Sequence, residues 1–572
     1  MVTDDVGHAR AGARTAVSPS VSAGEELRRS LSFLGDPVAP ETVVRAGYGG
    51  ALLVACLLTP VGAALTGLPV PVVVLVALTA ALGVAHLVHE GPTLLAAARR
   101  SLALGAAPGI VARAVLRMRI TPTTESAATF AASTGEGPLA DSLAEHVRRA
   151  RGHPGSGFES FAAEWDDWFP ELGRAVTLVA TAADAPPGER PRSLDRSLRT
   201  VLDGTRDRMA AFANEIQGPA TGLYAFGVLL PLALIAVLPA AATAGVPVTA
   251  TMLVVVYWLV LPGVVLLGSV WLLLRRPVAF PPPVVDRSHP EVDGEWWLPV
   301  LAALGAGLAV GFVGSILLPP WSVPLAAVVT GIGSGLVAWF RPVVRVRNHA
   351  RAVESGLVDA LYLVGREVGT GSAVETAIAR AGETLDDETG AVLADAVRRQ
   401  RQLRIDVRTA FLGEQGAVAD VPSPRVQSTA TLLALAAREG RPAGGAIVSM
   451  ASHLEELQSV ESEAKRQLGR ITGTLRSTAT IFGPLVAGVT VSLAGEMGGL
   501  GATNSQSAAV PVAVLGPIVG TYVIVLTTIL TALAVGLENG LDRPLVGYRV
   551  GGALLCSVWV FLAAYVAGGL FV

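Results

Sequence analysis

Phosphate chemistry in a P-loop needs a lysine closing a glycine-rich turn, G-x-x-x-x-G-K-[ST], so that backbone N–H groups and the ammonium cradle the phosphates. This chain has one lysine, Lys465, set in Glu463-Ala-Lys-Arg-Gln467, and no glycine-rich turn precedes it. The chain is therefore expected not to hydrolyse ATP itself. Intramembrane aspartyl proteolysis needs paired acids inside apolar spans, and ion-coupled transport keeps an ionisable residue there. The spans described below contain no Asp, Glu, Lys or Arg. His86-x-x-His89-Glu90 sets two imidazoles on one helix face, a spacing that can hold a metal, but at a membrane end interfacial histidines are the plainer reading. HExxH and CxxC patterns are absent, and Cys56 and Cys556 stand singly in apolar runs as lipid-facing or packing residues. Gly331-Ile-Gly-Ser-Gly335 resembles a nucleotide loop in composition only. It lies inside an apolar run, where small residues let helices approach closely, and Gly305, Gly307, Gly311 and Gly314 read the same way. The expectation is no enzyme, with no catalytic residue, cofactor or metal.

What remains as possible chemistry is charge. Arg148, Arg149 and Arg151 form one dense cluster, and Arg398, Arg399, Arg401 and Arg404 another, with Glu189, Arg190 and Arg192 between them in sequence. Such clusters steer docking of a charged partner and make it salt-sensitive; a solvated helix face is the simpler reading of any single arginine. Across 572 residues the net charge is only −3, from 43 basic and 46 acidic side chains, so no global field recruits nucleic acid. Two cysteines exclude a disulfide-stapled scaffold. Charged residues make up 16% of the chain, against about 25% in soluble domains.

The charges are also unevenly placed. Residues 46–89, 216–274, 296–340, 477–495, 497–537 and 550–572 contain no Asp, Glu, Lys or Arg. A helix crossing a bilayer needs about 20 apolar residues. The first three stretches are long enough for two crossings each, and each has a breaker near its middle: Thr66-Gly67-Leu68-Pro69, Ala244-Gly245-Val246-Pro247 and Leu318-Pro319-Pro320. Nine spans follow, near 47–65, 70–89, 221–241, 250–273, 298–317, 322–340, 478–495, 512–536 and 551–571, with a glycine-rich polar loop at 498–509. Pro231, Pro262 and Pro484 fall inside spans, where they free carbonyls and mark bends, read here as fixed kinks.

Arginine distribution orients the spans. The loops near 66–69, 242–249, 318–321 and 496–511 lack Lys and Arg, whereas 275–297 carries Arg275, Arg276 and Arg287, and 537–550 carries Arg543 and Arg549. The expected orientation has the amino terminus inside and the carboxyl terminus outside. Residues 1–45 lack the apolar core of a signal peptide and read as a cytoplasmic tail with a short helix around 24–34.

The fold expected is an all-α polytopic membrane protein. Its order is tail 1–45, transmembrane hairpin 46–89, polar block 90–215, transmembrane pair 216–274, loop 275–297, hairpin 298–340, polar block 341–476, transmembrane pair 477–537 and a last span in 551–572. Both blocks read as cytoplasmic helical bundles. Leu139, Leu143 and Val147 recur at a four-residue step behind Pro138, and Ser372-Ala-Val-Glu375 has the form of a capping box. The blocks also resemble one another, as a duplication would produce. Gly137–Leu143 is matched with Gly371–Ala377, Thr177–Ala183 with Thr431–Ala437, and Phe226-Gly227 with Phe482-Gly483.

This arrangement resembles the type II secretion F-domain family, and in particular the membrane platform proteins of archaeal type IV pili and the archaellum. The segments that carry the resemblance are GEGPLADSLAEHVRRARG (135–152), YAFGVLLPLAL (224–234), RRPVAFPPP (275–283) and AAREGRPAGGAI (436–447). None is a catalytic motif, and the last span exceeds what the family pattern requires. The resemblance implies a cell-membrane platform, acting as a homodimer or larger ring, which a hexameric secretion ATPase drives to lift pilin subunits into a filament. The dense charge at the block tips, and the charged residues beside glycines in these segments, give the expected ATPase contacts: Glu136, Arg148, Arg149, Arg151, Arg398, Arg399, Arg401, Glu439 and Arg441. The competing reading is a permease component powered by a separate ATPase, which should show polar residues along a midplane path.

Overall fold

The computed structural model describes residues 25–34, 39–66, 70–135, 137–152, 155–243, 249–276, 285, 287, 289–292, 295–439, 443–501 and 511–571. Every regular element among them is helical. The chain forms two compact units, divided between Ala97 and Ala98.

The first unit holds α1 (Glu25–Leu34), α2 (Pro40–Thr66) and most of α3 (Val70–Leu104). Leu27 and Leu31 of α1 bury against Val44 of α2. The two long helices make the expected hairpin and approach at glycines: a Cβ on Gly47 or Gly50 would lie 3.4 Å from the Ala85 carbonyl or from Val84.

The second unit begins with α4 (Ala107–Ile120), α5 (Thr124–Thr134), α6 (Pro138–Ala150), α7 (Phe158–Trp165), α8 (Pro170–Asp184) and α9 (Arg190–Tyr224). α9 runs without a break through a π-helical segment, Ala225–Leu229, into α10 (Leu230–Thr243). α11 (Ala250–Val254), a π segment at Val255–Val260 and α12 (Leu261–Arg275) form the next span, followed by α13 (Trp297–Leu317). α14 (Ser322–Gly369) is one 48-residue rod, apolar in its first part and polar in its second. Then come α15 (Val374–Thr384), α16 (Glu388–Leu403), α17 (Val407–Leu412), α18 (Pro424–Glu439) and α19 (Ala443–Ser477). A third π segment, Thr478–Phe482, joins α19 to α20 (Gly483–Gly501), and α21 (Val512–Asn539) and α22 (Arg543–Phe571) complete the chain. Nine helices among the described residues are long and apolar enough to cross a membrane, at the nine expected places. Several span helices continue well beyond the bilayer, so span ends cannot be read from helix ends.

The apolar surface suits lipid, not water. Leu308, Phe312, Ile316 and Leu317 of α13 are each more than 70% exposed, on a helix with no charge at all. A soluble protein does not present so continuous an apolar face. Inside, helices meet at small residues, where van der Waals contact drives association in the absence of a water-exclusion force. A Cβ on Gly331 would stand 2.9 Å from the Ala303 carbonyl, and one on Gly333 3.0 Å from the Gly551 carbonyl. The apolar reading of Gly331–Gly335 therefore holds. Gly305, grouped with them in the sequence, faces open space instead.

The prolines explain the π segments. Pro231, Pro262 and Pro484 each fall two residues after one. Proline has no N–H, and its ring crowds the carbonyl one turn upstream; widening that turn relieves the crowding but leaves a carbonyl without its helical donor. In a bilayer no water can replace it. α21 supplies the substitutes: the Tyr522 hydroxyl donates to the Gly227 carbonyl, and Thr527 Oγ1 donates to the Ala479 carbonyl at 2.8 Å. The Tyr257 hydroxyl donates to the carbonyl of Pro231 itself, and Trp258 Nε1 donates to Ile518 of α21 at 3.2 Å. Side chains of α21 thus satisfy carbonyls at two of the three π segments.

Three local expectations need correction. The Ser372–Glu375 capping box does not form: Ala373 is the N-cap of α15 with no side-chain cap, and Ser372 instead donates to Glu367. α20 continues to Gly501, four residues into the segment expected as loop, and 502–510 lie outside the described residues. The matching of Gly137–Leu143 with Gly371–Ala377 is one helix out of step, because it pairs α6 with α15. Element order pairs α5 with α15, both of 11 residues, and α9 with α19, both of 35. In that register Leu143-Ala-Glu-His-Val-Arg-Arg149 falls on Leu393-Ala-Asp-Ala-Val-Arg-Arg399.

Candidate functional site

Each polar block is a six-helix bundle, α4–α9 in the first and the polar half of α14 with α15–α19 in the second, with α4 and α14 as the inner helices. In the first, Leu139, Leu143, Phe158, Phe161, Trp165, Phe169, Leu172 and Leu198 are buried. Pro138 occupies the first turn of α6, as expected, behind Gly137, whose φ of 88° few other residues adopt. In the second, Ile378, Leu393, Phe411, Leu361 and Val364 are all buried, and α15 and α16 pack on α14. Asp387 and Asp406 cap α16 and α17 by accepting from Gly390 N at 2.8 Å and Thr409 N at 3.1 Å.

The arginine clusters fall at equivalent places in the two bundles, at the ends of α6 and α16. Arg148 and Arg149 both bond Glu145, at 2.5 and 2.9 Å, and are more than 60% exposed. Their hydrogen bonds, Arg148 first, hold the Glu145 carboxyl below its ordinary range. Arg398 and Arg399 both bond Asp395, the second at 2.7 Å. Arg399 also donates to the Gln415 carbonyl and is correspondingly less exposed. Arg151 and Arg401 are exposed, and Arg404 ends α16 in the left-handed region at φ 54°. No ion pair among the described residues joins the two clusters; each is a separate outward face. Glu136 and Arg441 lie outside the described residues. Glu439 is the last residue of α18, with its side chain outside them.

The structure adds residues that no sequence pattern marked. The two bundles are bonded to each other through α9 and α19. Asp195 accepts from Arg119 Nη2 at 2.5 Å and lies 3.4 Å from His453 Nε2, and Arg199 faces Glu456 at 3.5 Å. His453 is buried in the polar half of α19, well before the span that begins near 478. Burial first, then Arg119, lowers its pKa, while Asp195 works in the opposite direction. A second network joins α18 to α19: Arg425 bonds Glu461 at 2.9 Å, and Lys465 bonds the same carboxylate at 2.7 Å. A third ties the bundles to the span ends. Arg275 bonds Glu215 at 3.2 Å, Arg476 bonds Glu538 at 3.1 Å, Arg276 Nε donates to the Leu537 carbonyl at 2.7 Å, and Arg347, almost fully buried, bonds Asp542.

These contacts put polar halves against polar halves and apolar halves against apolar halves. α9 and α19 each carry a bundle at one end and a span at the other. Each bundle is therefore continuous with a membrane-spanning helix, with ion pairs at the junction. Cys56 and Cys556 are exposed and unpaired with each other. His86 and His89 are exposed on α3, and no cluster of three or more metal-ligating side chains occurs among the described residues. Comparison of the chain with family models, with curated proteins and with solved structures returned no match.

Proposed function

We propose that this protein is the cell-membrane platform of a type IV pilus-like assembly machine, receiving force from a hexameric secretion ATPase and passing it to pilin subunits at the base of a filament. The observation that carries the reading is the pair of bundles. They share one helix order, they are bonded through α9 and α19, and each is continuous with a membrane span. In this reading both bundles are cytoplasmic, the amino terminus is inside and the carboxyl terminus outside. Duplication of one bundle-and-span unit accounts for the matching helices. Arg148, Arg149, Arg398 and Arg399 stand at the same position of each repeat and meet acidic surface on the ATPase. Pilin helices dock on the lipid-facing apolar surface, and the platform works as a homodimer.

The test is binding of the full chain, in lipid nanodiscs, to the secretion ATPase encoded beside it. Reversing Arg148, Arg149, Arg398 and Arg399 to Glu should lower affinity at low salt by at least tenfold, roughly 1.4 kcal/mol, and flatten its salt dependence. Deleting the gene should remove surface filaments and leave solute uptake intact. Normal filaments in a strain without paralogues would refute the proposal, and lost uptake would favour a permease.

A further inference from the structure

Between the two bundles, at the level where α12 and α21 end, lies a cavity of about 600 Å³. Its charged lining is unequal: Arg113, Arg276, Arg351, Arg425 and Lys465 against Glu354, Glu461 and Glu538. The acids are already engaged. Glu461 serves Arg425 and Lys465, Glu538 serves Arg476 at 3.1 Å, and Glu354 accepts from Ser423 and faces Arg425 at 4.0 Å.

The unmatched positive charge falls on Arg276 and Arg351. Arg276 is only 8% exposed, and its guanidinium uses Nε alone, on the Leu537 carbonyl. No carboxylate pairs with it among the described residues, and burial pulls its pKa down to about 10. Arg351 makes one long bond, 3.4 Å, to Asn539 Oδ1. A buried cation without a counter-charge is costly, and a cation lining an open cavity invites an anion. Met209, Ala464 and Leu468 form an apolar wall of the same cavity, toward the spans on α9 and α19. A free phosphate would leave that wall unused, whereas an anionic amphiphile uses both surfaces. Arg276 stands just past the charge-free run 216–274, and Glu538 and Asn539 just past the run 497–537, so this end of the cavity adjoins the charged ends of two spans.

The geometry points to a binding site for the headgroup of an acidic phospholipid, its phosphate held by Arg276 and Arg351 and its glycerol region set against the apolar wall. Such a lipid would fill the seam between the bundles and the spans. The site does not depend on the pilus reading, and its test does not involve the ATPase.

The full chain, delipidated in mild detergent, is titrated with a fluorescent phosphatidylglycerol. The expected result is saturable binding of one lipid per chain, at least tenfold tighter than phosphatidylcholine and insensitive to millimolar inorganic phosphate. R276Q and R351Q should each weaken phosphatidylglycerol binding about tenfold. R276K should retain most of it, which separates lost charge from misfolding. Arg174→Gln, an exposed change on α8, should have no effect. Equal affinity for the two lipids, unchanged binding in both R276Q and R351Q, or complete displacement by inorganic phosphate would overturn the proposal. The last result would assign the cavity to free phosphate.

Discussion

The two bundles share a helix order but not an attachment. In the second, the inner helix and a membrane span are one rod, α14, which runs straight through Pro342. In the first, the inner helix α4 is cut from α3 at Gly105-Ala106, with Pro108 in its opening turn. The second bundle is continuous with spans through both α14 and α19, and the first runs into a span through α9 and α10, while a two-residue turn precedes its inner helix. Arg347 adds to the difference, because it fixes the α14 rod to the turn before α22. The lesson is that two bundles with one helix order can differ in how their inner helices begin.

Arg347→Ala should break this asymmetry most severely. It leaves Asp542 uncompensated in a mostly buried setting, and loss of one partner of a buried pair costs about 3–5 kcal/mol. Thermal unfolding in detergent should show the largest fall in midpoint of any single change named here. A midpoint within a degree of the parent would mean that the second bundle is not anchored through α14.

Next in size are the hydroxyls that hold the kinks. Tyr522→Phe exposes the Gly227 carbonyl and Thr527→Val exposes that of Ala479. Each should cost about 0.6–2 kcal/mol, since partners for such carbonyls are scarce within a bilayer. Hydrogen exchange around 225–231 and 478–484, respectively, should report the loss. If neither segment exchanges faster, proline alone shapes the kinks.

Acidity should then loosen the seam between the bundles. His453 has a lowered pKa in the folded chain, so the unfolded chain binds the proton more readily. The neutral ring's contribution is complete above its ordinary value of about 6.5 and declines as pH falls below it. Exchange at the α9–α19 contact should rise below about pH 6.5 and be flat across that range in His453→Gln. Identical profiles in the two proteins would remove His453 from the seam.

The smallest effect on stability belongs to the clusters assigned to partner binding. Arg148→Ala and Arg149→Ala lose only exposed pairs, and should change stability by less than about 0.5 kcal/mol. Arg399→Ala, which also loses the Gln415 carbonyl, should cost slightly more than either. The reverse order would mean that the first cluster is structural.

The spans were legible because burial in lipid demands long charge-free runs, and proline–glycine breakers divide those runs visibly. Pro231, Pro262 and Pro484 announced the bends, but not the hydroxyls of Tyr522 and Thr527 that hold them, because those come from a distant helix. Two helical blocks were legible while the pairing of their helices was not: short Ala-rich motifs match at several offsets, and only helix order chooses among them. Asp195 and His453 lie 258 residues apart, and neither shows a local pattern that distinguishes it from a solvated charge. Arg276 stood out only as a positive-inside marker. Its burial depends on where α21 ends, which composition does not specify.

The measurement that bears most directly on the account is equilibrium binding of the full chain in nanodiscs to the hexameric secretion ATPase, across a salt series. The account predicts saturable binding at low salt, weakening steeply as salt rises and lost when both arginine clusters are reversed. No binding at low salt, or binding indifferent to salt and to reversal of both clusters, would contradict it.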